Sequence, residues 1–329
     1  MRILVTGGAG YVGSVTVERL MAAGHEVVVL DDLSTGHGWA DLGGATFVDG
    51  SFTDRSTVRR LLGDARIEAV LHCAARSLVG ESIADPARYY LVNVAGGIEL
   101  LEAMRDADVR RLVISSTAAV YGAPDVIPIP EDAPLQPINP YGETKRTIET
   151  AARWYGAAYG LRSVSLRYFN VAGASARNGE VHRPETHLIP NVLTALAGDG
   201  PPLTLFGDDY PTPDGTPIRD YIHVEDLADA HLAALVATDP GDPRTDQALV
   251  CNLGSGRGFS VREVLAATEA VVGRPVPITV GPRRAGDPAV LVAAIERARD
   301  VLGWTPSRSS LEAMIGSAWA WRQGHPELA

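Results

Sequence analysis

The sequence predicts an α/β fold, a doubly wound parallel sheet followed by a smaller, irregular C-terminal part. Three observations support it. Short β-branched runs alternate with amphipathic stretches through the first half of the chain. The first run ends in a turn holding four glycines, "VTGGAGYVGS" at 5–14, and the alternation breaks up after about residue 172. Such alternation makes right-handed βαβ units, which stack into a parallel sheet covered on both faces.

Taken in order, "RILVTG" (2–7) reads as a buried strand and "YVGSVTVERLMAAG" (11–24) as a helix stopped by Gly24. Further strands are expected at 26–32, 45–50, 67–75 and 109–117, with helical spacing at 54–65 and 86–107. Beyond residue 172, "GASARNGEVHRPETH" and "GDDYPTPDGTP" are polar and rich in turn residues. "VEDLADAHLAALVATDP" then returns to a helix with an acidic first turn. We expect a division into 1–172 and 173–329, with segments near 217–255 crossing back, and a crevice between the two parts.

At 329 residues, with 46% apolar and 21% charged side chains, the composition suits a globular protein with a well-buried core. A net charge of −11 argues against a nucleic-acid or membrane surface, either of which wants a basic face. Two cysteines, Cys73 and Cys251, make no disulfide framework, so a reducing cytoplasm is expected. The apolar opening "ILV" is too short for a signal peptide or a membrane span. No metal-ligand set is assigned.

Gly8, Gly10 and Gly13 satisfy G-x-G-x-x-G, and Gly7, Gly10 and Gly13 the wider G-x-x-G-x-x-G. Between a strand and a helix, that spacing gives a tight turn, close backbone approach to a pyrophosphate, and a helix N-terminus facing its charge. The expected architecture is therefore a Rossmann-type sheet. Asp31, 18 residues beyond Gly13, ends the second strand where a carboxylate accepts from ribose hydroxyls and repels a 2′-phosphate, which favours NAD. Asp32 reads equally as a solvated strand end, and Asp49, Ser51 and Phe52 follow the third strand as candidates to flank an adenine.

The chain's 29 basic side chains include one lysine, Lys145, four residues after Tyr141 in "NPYGETKRT". Asn139 is a plausible N-cap and Pro140 suits a first turn, so Tyr141 and Lys145 project from one face of a helix. A phenol, with a pKa of ~10, is a poor base at neutral pH unless a nearby cation favours the phenolate. Lysine is a compact charge where arginine is a wide fork. Ser115, Ser116 and Thr117 end the strand before, and Thr117 is the preferred hydroxyl partner.

These motifs, with "SSTAAVYG", "LRYFNVAGA", "HLIP", "FGDDYPTPDGTPIRDYIHVEDLADAH" and "RRAGDPAVL", resemble the extended short-chain dehydrogenase/reductase superfamily and, within it, the UDP-hexose 4-epimerase family along nearly the whole chain. The resemblance implies an NAD-binding part (1–172), a UDP-sugar-binding part (173–329) and a homodimer paired through 86–107 and 140–159. Tyr141 becomes the base, Lys145 its partner and ribose ligand, and Thr117 the hydroxyl helper. Tyr11, Val12, Ser34, Cys73, Ala74 and Ala75 join the glycines around NAD. So do Asn93, Ser115, Tyr168 and Phe169. The UDP-hexose falls to Asn170, His187, Leu188, Thr204 and Phe206, with Arg219, Tyr221, Arg284, Asp287 and Leu291. From the residues alone, Arg219 and Arg284 are each a candidate fork for a diphosphate or an ordinary surface ion-pair partner, and the resemblance selects the first. Leucine at 291 leaves acceptance of an N-acetyl group open. A 4,6-dehydratase needs an Asp-Glu pair after the catalytic hydroxyl, where this chain has Ala118 and Ala119. An inert NAD-binding scaffold needs no tyrosine, lysine and hydroxyl together.

Overall fold

The computed structural model describes residues 1–242, 247–284 and 286–328. Seven strands form one all-parallel sheet: β1 (Arg2–Thr6), β2 (Glu26–Asp31), β3 (Thr46–Asp49), β4 (Ala69–His72), β5 (Arg111–Thr117), β6 (Arg162–Tyr168) and, after a second sheet region has begun, β10 (Ala248–Leu253). Their order is β3-β2-β1-β4-β5-β6-β10, so the winding reverses between β1 and β4. Val5 sits between Val29 of β2 and Leu71 of β4. At such a switch point the two neighbouring loops diverge and leave a crevice at the strand ends.

Both faces are covered. Helices α1 (Tyr11–Ala22) and α8 (Val224–Ala237) bury Ile3, Val5, Val17, Leu20, Leu227 and Ala234 on one side. On the other, α2 (Arg55–Asp64), α5 (Gly96–Asp106) and α6 (Pro140–Tyr159) close over Leu4, Leu62, Val70, Leu100, Met104 and Ile148. Gly24, at φ 80°, and Gly160, at φ 73°, end α1 and α6 in left-handed turns that a side chain resists.

The stretch 86–107, expected as one helix, is built in three pieces. A short α4 (Pro86–Tyr89) leads through a π-helical segment (Tyr90–Ala95) into α5. One extra residue per turn rotates Asn93 inward, where its carboxamide accepts from Arg76 N at 2.8 Å and donates to Arg76 O at 2.9 Å and Thr144 Oγ1 at 3.1 Å. The strand expected at 67–75 ends earlier, at His72, because Cys73–Ala75 turn into the crevice. α3 (Val79–Ala84) follows that turn.

The remainder forms two small sheets. β9 (Ile218–His223) pairs with β7 (Asn170–Ala172), β11 (Gly258–Ser260) and β13 (Val290–Leu291), while β8 (Leu203–Phe206) pairs with β12 (Ile278–Gly281). Helices α7 (Leu188–Ala197), α9 (Val261–Val272), α10 (Glu296–Leu302) and α11 (Leu311–Gly324) complete it, α9 opened by a reciprocal capping box of Ser260 and Glu263. Among the described residues no helix is long and apolar enough to cross a membrane.

Candidate active site

A cleft of about 1600 Å³ runs along the C-terminal strand ends. A single small-ligand pocket is usually ~300–1000 Å³, so this volume suits two nucleotide-sized molecules. Its floor is the glycine turn. A Cβ on Gly7 would stand 2.5 Å from Ala74 N, and one on Gly13 would stand 2.0 Å from Gly7 O. Only hydrogen fits at either position. The N-terminus of α1, capped by Gly10 with no side-chain bond, leaves its amide donors facing the cleft.

Asp31 closes this end. Its carboxylate accepts from Ala9 N and Leu33 N, both at 2.9 Å, and burial pushes its pKa up. Asp32 is exposed and accepts from Ser34 N at 3.0 Å. Ser34, Ser51, Phe52, Val12 and Tyr11 line the same wall, and Tyr11 Oη donates to Gly173 O at 2.5 Å. These groups fit a dinucleotide: a backbone cradle for the pyrophosphate and a fixed carboxylate at ribose distance.

Tyr141 and Lys145 stand one turn apart on α6, whose N-cap Asn139 accepts from Gly142 N at 2.9 Å. Both line the cleft. The balance at the phenol differs from the expected one. Burial raises the Tyr141 pKa, and the opposing influence is a hydrogen bond from Thr117. Lys145 Nζ instead donates to the Ser115 carbonyl at 2.8 Å, and burial holds the ammonium down to about 8. The lysine is turned toward the sheet by that carbonyl, which is the physical reason for the departure.

The three hydroxyls at the end of β5 have separate surroundings. Thr117 lines the cleft and takes a bond from Ala119 N at 3.1 Å. Ser115 is buried beneath it, its Oγ 3.0 Å from His231 Nε2 and 3.4 Å from Cys73 Sγ. Ser116 points to the opposite face, where its hydroxyl donates to Glu149. Asn93 and Ser115, expected as cofactor contacts, therefore do not line the cleft; Asn93 holds the Arg76 loop and Ser115 holds Lys145. Cys73, Ala74, Ala75, Tyr168 and Phe169 do line it.

At the far end Asn170, His187, Arg219, Arg284, Asp287 and Leu291 form the wall. An adjoining cavity of about 410 Å³ takes in Leu188, Thr204, Phe206 and Tyr221 and shares Asn170, Arg219 and Arg284 with the main cleft. Arg219 is already fixed, donating to Asp287 Oδ1 at 2.5 Å and Pro288 O at 2.7 Å. Arg284 lies over the Phe206 ring at 4.2 Å and has no ion pair among the described residues. That leaves its charge available to an anion at the junction of the two spaces.

Two features had no reading in the sequence. Glu149 and Arg167 form a buried ion pair behind the site, Nη2 to Oε2 at 2.6 Å, with Tyr121 Oη accepting from Arg167 Nη1 at 2.9 Å. The other is the grouping of imidazoles and carboxylates at 180–187, where His187 alone was expected, as a substrate contact, and the signal was two histidines and two glutamates within "EVHRPETH".

The family model for the NAD dependent epimerase/dehydratase family matches residues 3–254. The chain is 51% identical over 327 residues to UDP-glucose 4-epimerase of Streptomyces lividans, covering 99% of this chain and 97% of that one. Among solved structures it is similar to UDP-glucose 4-epimerase from Brucella ovis in complex with NAD, at 44% identity and TM-score 0.93, covering 97% of this chain and 98% of that one. It is also similar to UDP-glucose-4-epimerase from Stenotrophomonas maltophila with bound NAD and formylated UDP-arabinopyranose, at 39% identity and TM-score 0.94, with both chains fully covered.

Proposed function

The chain belongs to the NAD dependent epimerase/dehydratase family, and from that premise we propose that it interconverts UDP-galactose and UDP-glucose through a transient 4-keto sugar. The observation that supports this reading best is that Tyr141, Lys145 and Thr117 share the wall of one continuous cleft that reaches from the glycine cradle to Arg284. NAD, when bound, supplies a reversible two-electron acceptor beside the sugar. Gly7, Gly10 and Gly13 admit its pyrophosphate, the α1 N-terminus faces the charge, and Asp31 takes the ribose hydroxyls.

The protein's own groups then do the following. Tyr141 removes the proton from O4 and returns it after the hexose has turned over. The Thr117 hydroxyl opposes the effect of burial on the phenol and so favours the phenolate. Lys145 adds a fixed positive charge on the same helix face. Arg284 and Arg219 hold the diphosphate, and Phe206, Thr204, Leu188 and Tyr221 wall the space for uridine. Anchoring the UDP end leaves the hexose free to present either face.

The division at residue 172 belongs to the same proposal, with β10 and α8 as the segments that return to the large sheet. So do a cytoplasmic setting and a homodimer. Leu91, 67% exposed, and Trp154, 64% exposed, are apolar side chains on the two helical stretches expected to pair.

The test is incubation with UDP-galactose, products resolved by NMR. UDP-glucose forming without added NAD is the expected result; a 4-keto-6-deoxy product or no product overturns the reading. Tyr141→Phe is expected to lose about 10²–10⁴-fold in kcat while still binding UDP, and near-normal turnover in that variant removes Tyr141 as the base. Leu291 lines the cleft where a bulky aromatic would narrow it, so a UDP-N-acetylhexosamine belongs in the same assay.

A further inference from the structure

The loop between β7 and α7 gathers two imidazoles and two carboxylates, of which the epimerase reading gives a task to His187 alone, as a lining residue. Glu180, His182 and His187 each offer one ligand atom, and the three atoms lie within 4.8 Å of one another. Three ligands on one tetrahedral ion, with bonds of ~2.1 Å, stand about 3.4 Å apart. Closing those separations by up to about 1.4 Å therefore seats an ion.

We propose that Glu180, His182 and His187 bind one divalent transition-metal ion of the zinc class. The donor set is two imidazole nitrogens and one carboxylate, which suits zinc and its late first-row neighbours; magnesium and calcium take oxygen shells. The surroundings are those of a metal-binding histidine. His187 Nδ1 lies 2.7 Å from Glu185 Oε1, and the same oxygen accepts from Thr186 N and His187 N, both at 2.7 Å. A carboxylate so pinned fixes the ring and leaves Nε2 as the coordinating atom. Glu180 accepts from the His182 backbone at 2.9 Å and from its ring, so carboxylate and imidazole are held face to face.

All three ligands border the main cleft, so the fourth coordination position opens toward it and is filled by water or by an anionic oxygen of a bound ligand. The ion also has a mechanical consequence. Its ligands span eight residues of a segment with no regular structure of its own, and His187 is the N-cap of α7. Binding ties that segment to the helix that presents Leu188 to the second cavity. The carboxylates already influence the glycine turn: Glu180 and Glu185 both raise the Tyr11 hydroxyl's pKa, although burial is the larger cause.

The experiment uses the full-length protein, dialysed against a chelator and then titrated with zinc chloride. Bound metal is counted by mass spectrometry and melting is followed with and without zinc. About one zinc per chain, with a melting temperature raised by several degrees, is expected for the wild type. His182→Ala/His187→Ala is expected to lose both effects. Glu185→Gln keeps all three ligands and should weaken zinc binding about 10–100-fold. Cobalt in place of zinc should give the visible bands of a four-coordinate ion in the wild type and lose them in the double variant. Should the double variant fail to fold, Glu185→Gln and the cobalt spectrum still decide. The proposal is overturned if zinc neither binds nor raises the melting temperature of the wild type, or if both variants bind it as the wild type does.

Discussion

Replacing Lys145 by methionine separates what the buried ammonium costs the fold from what it gives the chemistry. Lys145 is 6% exposed, and burial lowers its pKa from 10.5 to about 8. At ~1.4 kcal/mol for each factor of ten in proton affinity, that corresponds to about 3 kcal/mol against the charged form. The hydrogen bond to Ser115 O, at 2.8 Å, returns ~1.5–3 kcal/mol as a bond from a charged donor. Methionine fills a similar volume without charge, so stability at pH 7 should stay level or rise by about 1 kcal/mol while turnover collapses. The sign of the pH effect follows from linkage. Between about pH 8 and 10.5 the unfolded chain retains a proton that the folded chain has released, so the lysine makes wild-type stability rise with pH through that window. The variant should lack that rise. Urea unfolding of the nucleotide-free proteins at pH 7, 8, 9 and 10 measures both effects. A loss above about 2 kcal/mol at pH 7, or parallel pH profiles for the two proteins, would refute the reasoning.

Other outcomes are specific to single contacts. Glu149→Gln leaves Arg167 buried without its anion and should cost about 3–5 kcal/mol, read as a fall in melting temperature. Gly316, inside α11 with open space around its Cα, should accept alanine with a gain of roughly 0.5–1 kcal/mol, whereas Gly13→Ala meets backbone at 2.0 Å and should lose bound NAD. Leu91→Glu combined with Trp154→Glu should halve the mass measured by light scattering if the homodimer forms through these helices.

Much of this molecule could be read in the chain because the governing interactions are local. The glycine turn, the i, i+4 pair and the Asn139–Pro140 helix start each occupy fewer than ten residues, and each places its groups by backbone geometry alone. What escaped depends on long-range packing or on register. Glu149 and Arg167 lie on a helix and a strand that meet only in the folded state, and neither residue differs in type from the surface charges around it. The π segment at 90–95 has the same composition as an α-helix; its extra residue becomes visible only through the inward turn of Asn93. Ser115 and Ser116, adjacent in one strand, face opposite sides of the sheet, so a position at a strand end did not settle which hydroxyl reaches the cleft. The 180–187 cluster has the ligand types but no helix or hairpin to impose a spacing, and so it passed for a polar loop.

The chain's solitary lysine also makes its chemical reactivity unusual. The other 28 of the 29 lysine and arginine side chains are arginine, and Lys145 is buried in the inner wall of the cleft. Amine-directed reagents therefore find no lysine on the outside of the folded protein. Dyes, supports and cross-linkers of that type are left with the chain's α-amino group, which gives one attachment point and one orientation without any substitution. Lys145 is approached instead from the cleft that it lines, so its modification rate is a built-in gauge of access to the catalytic helix.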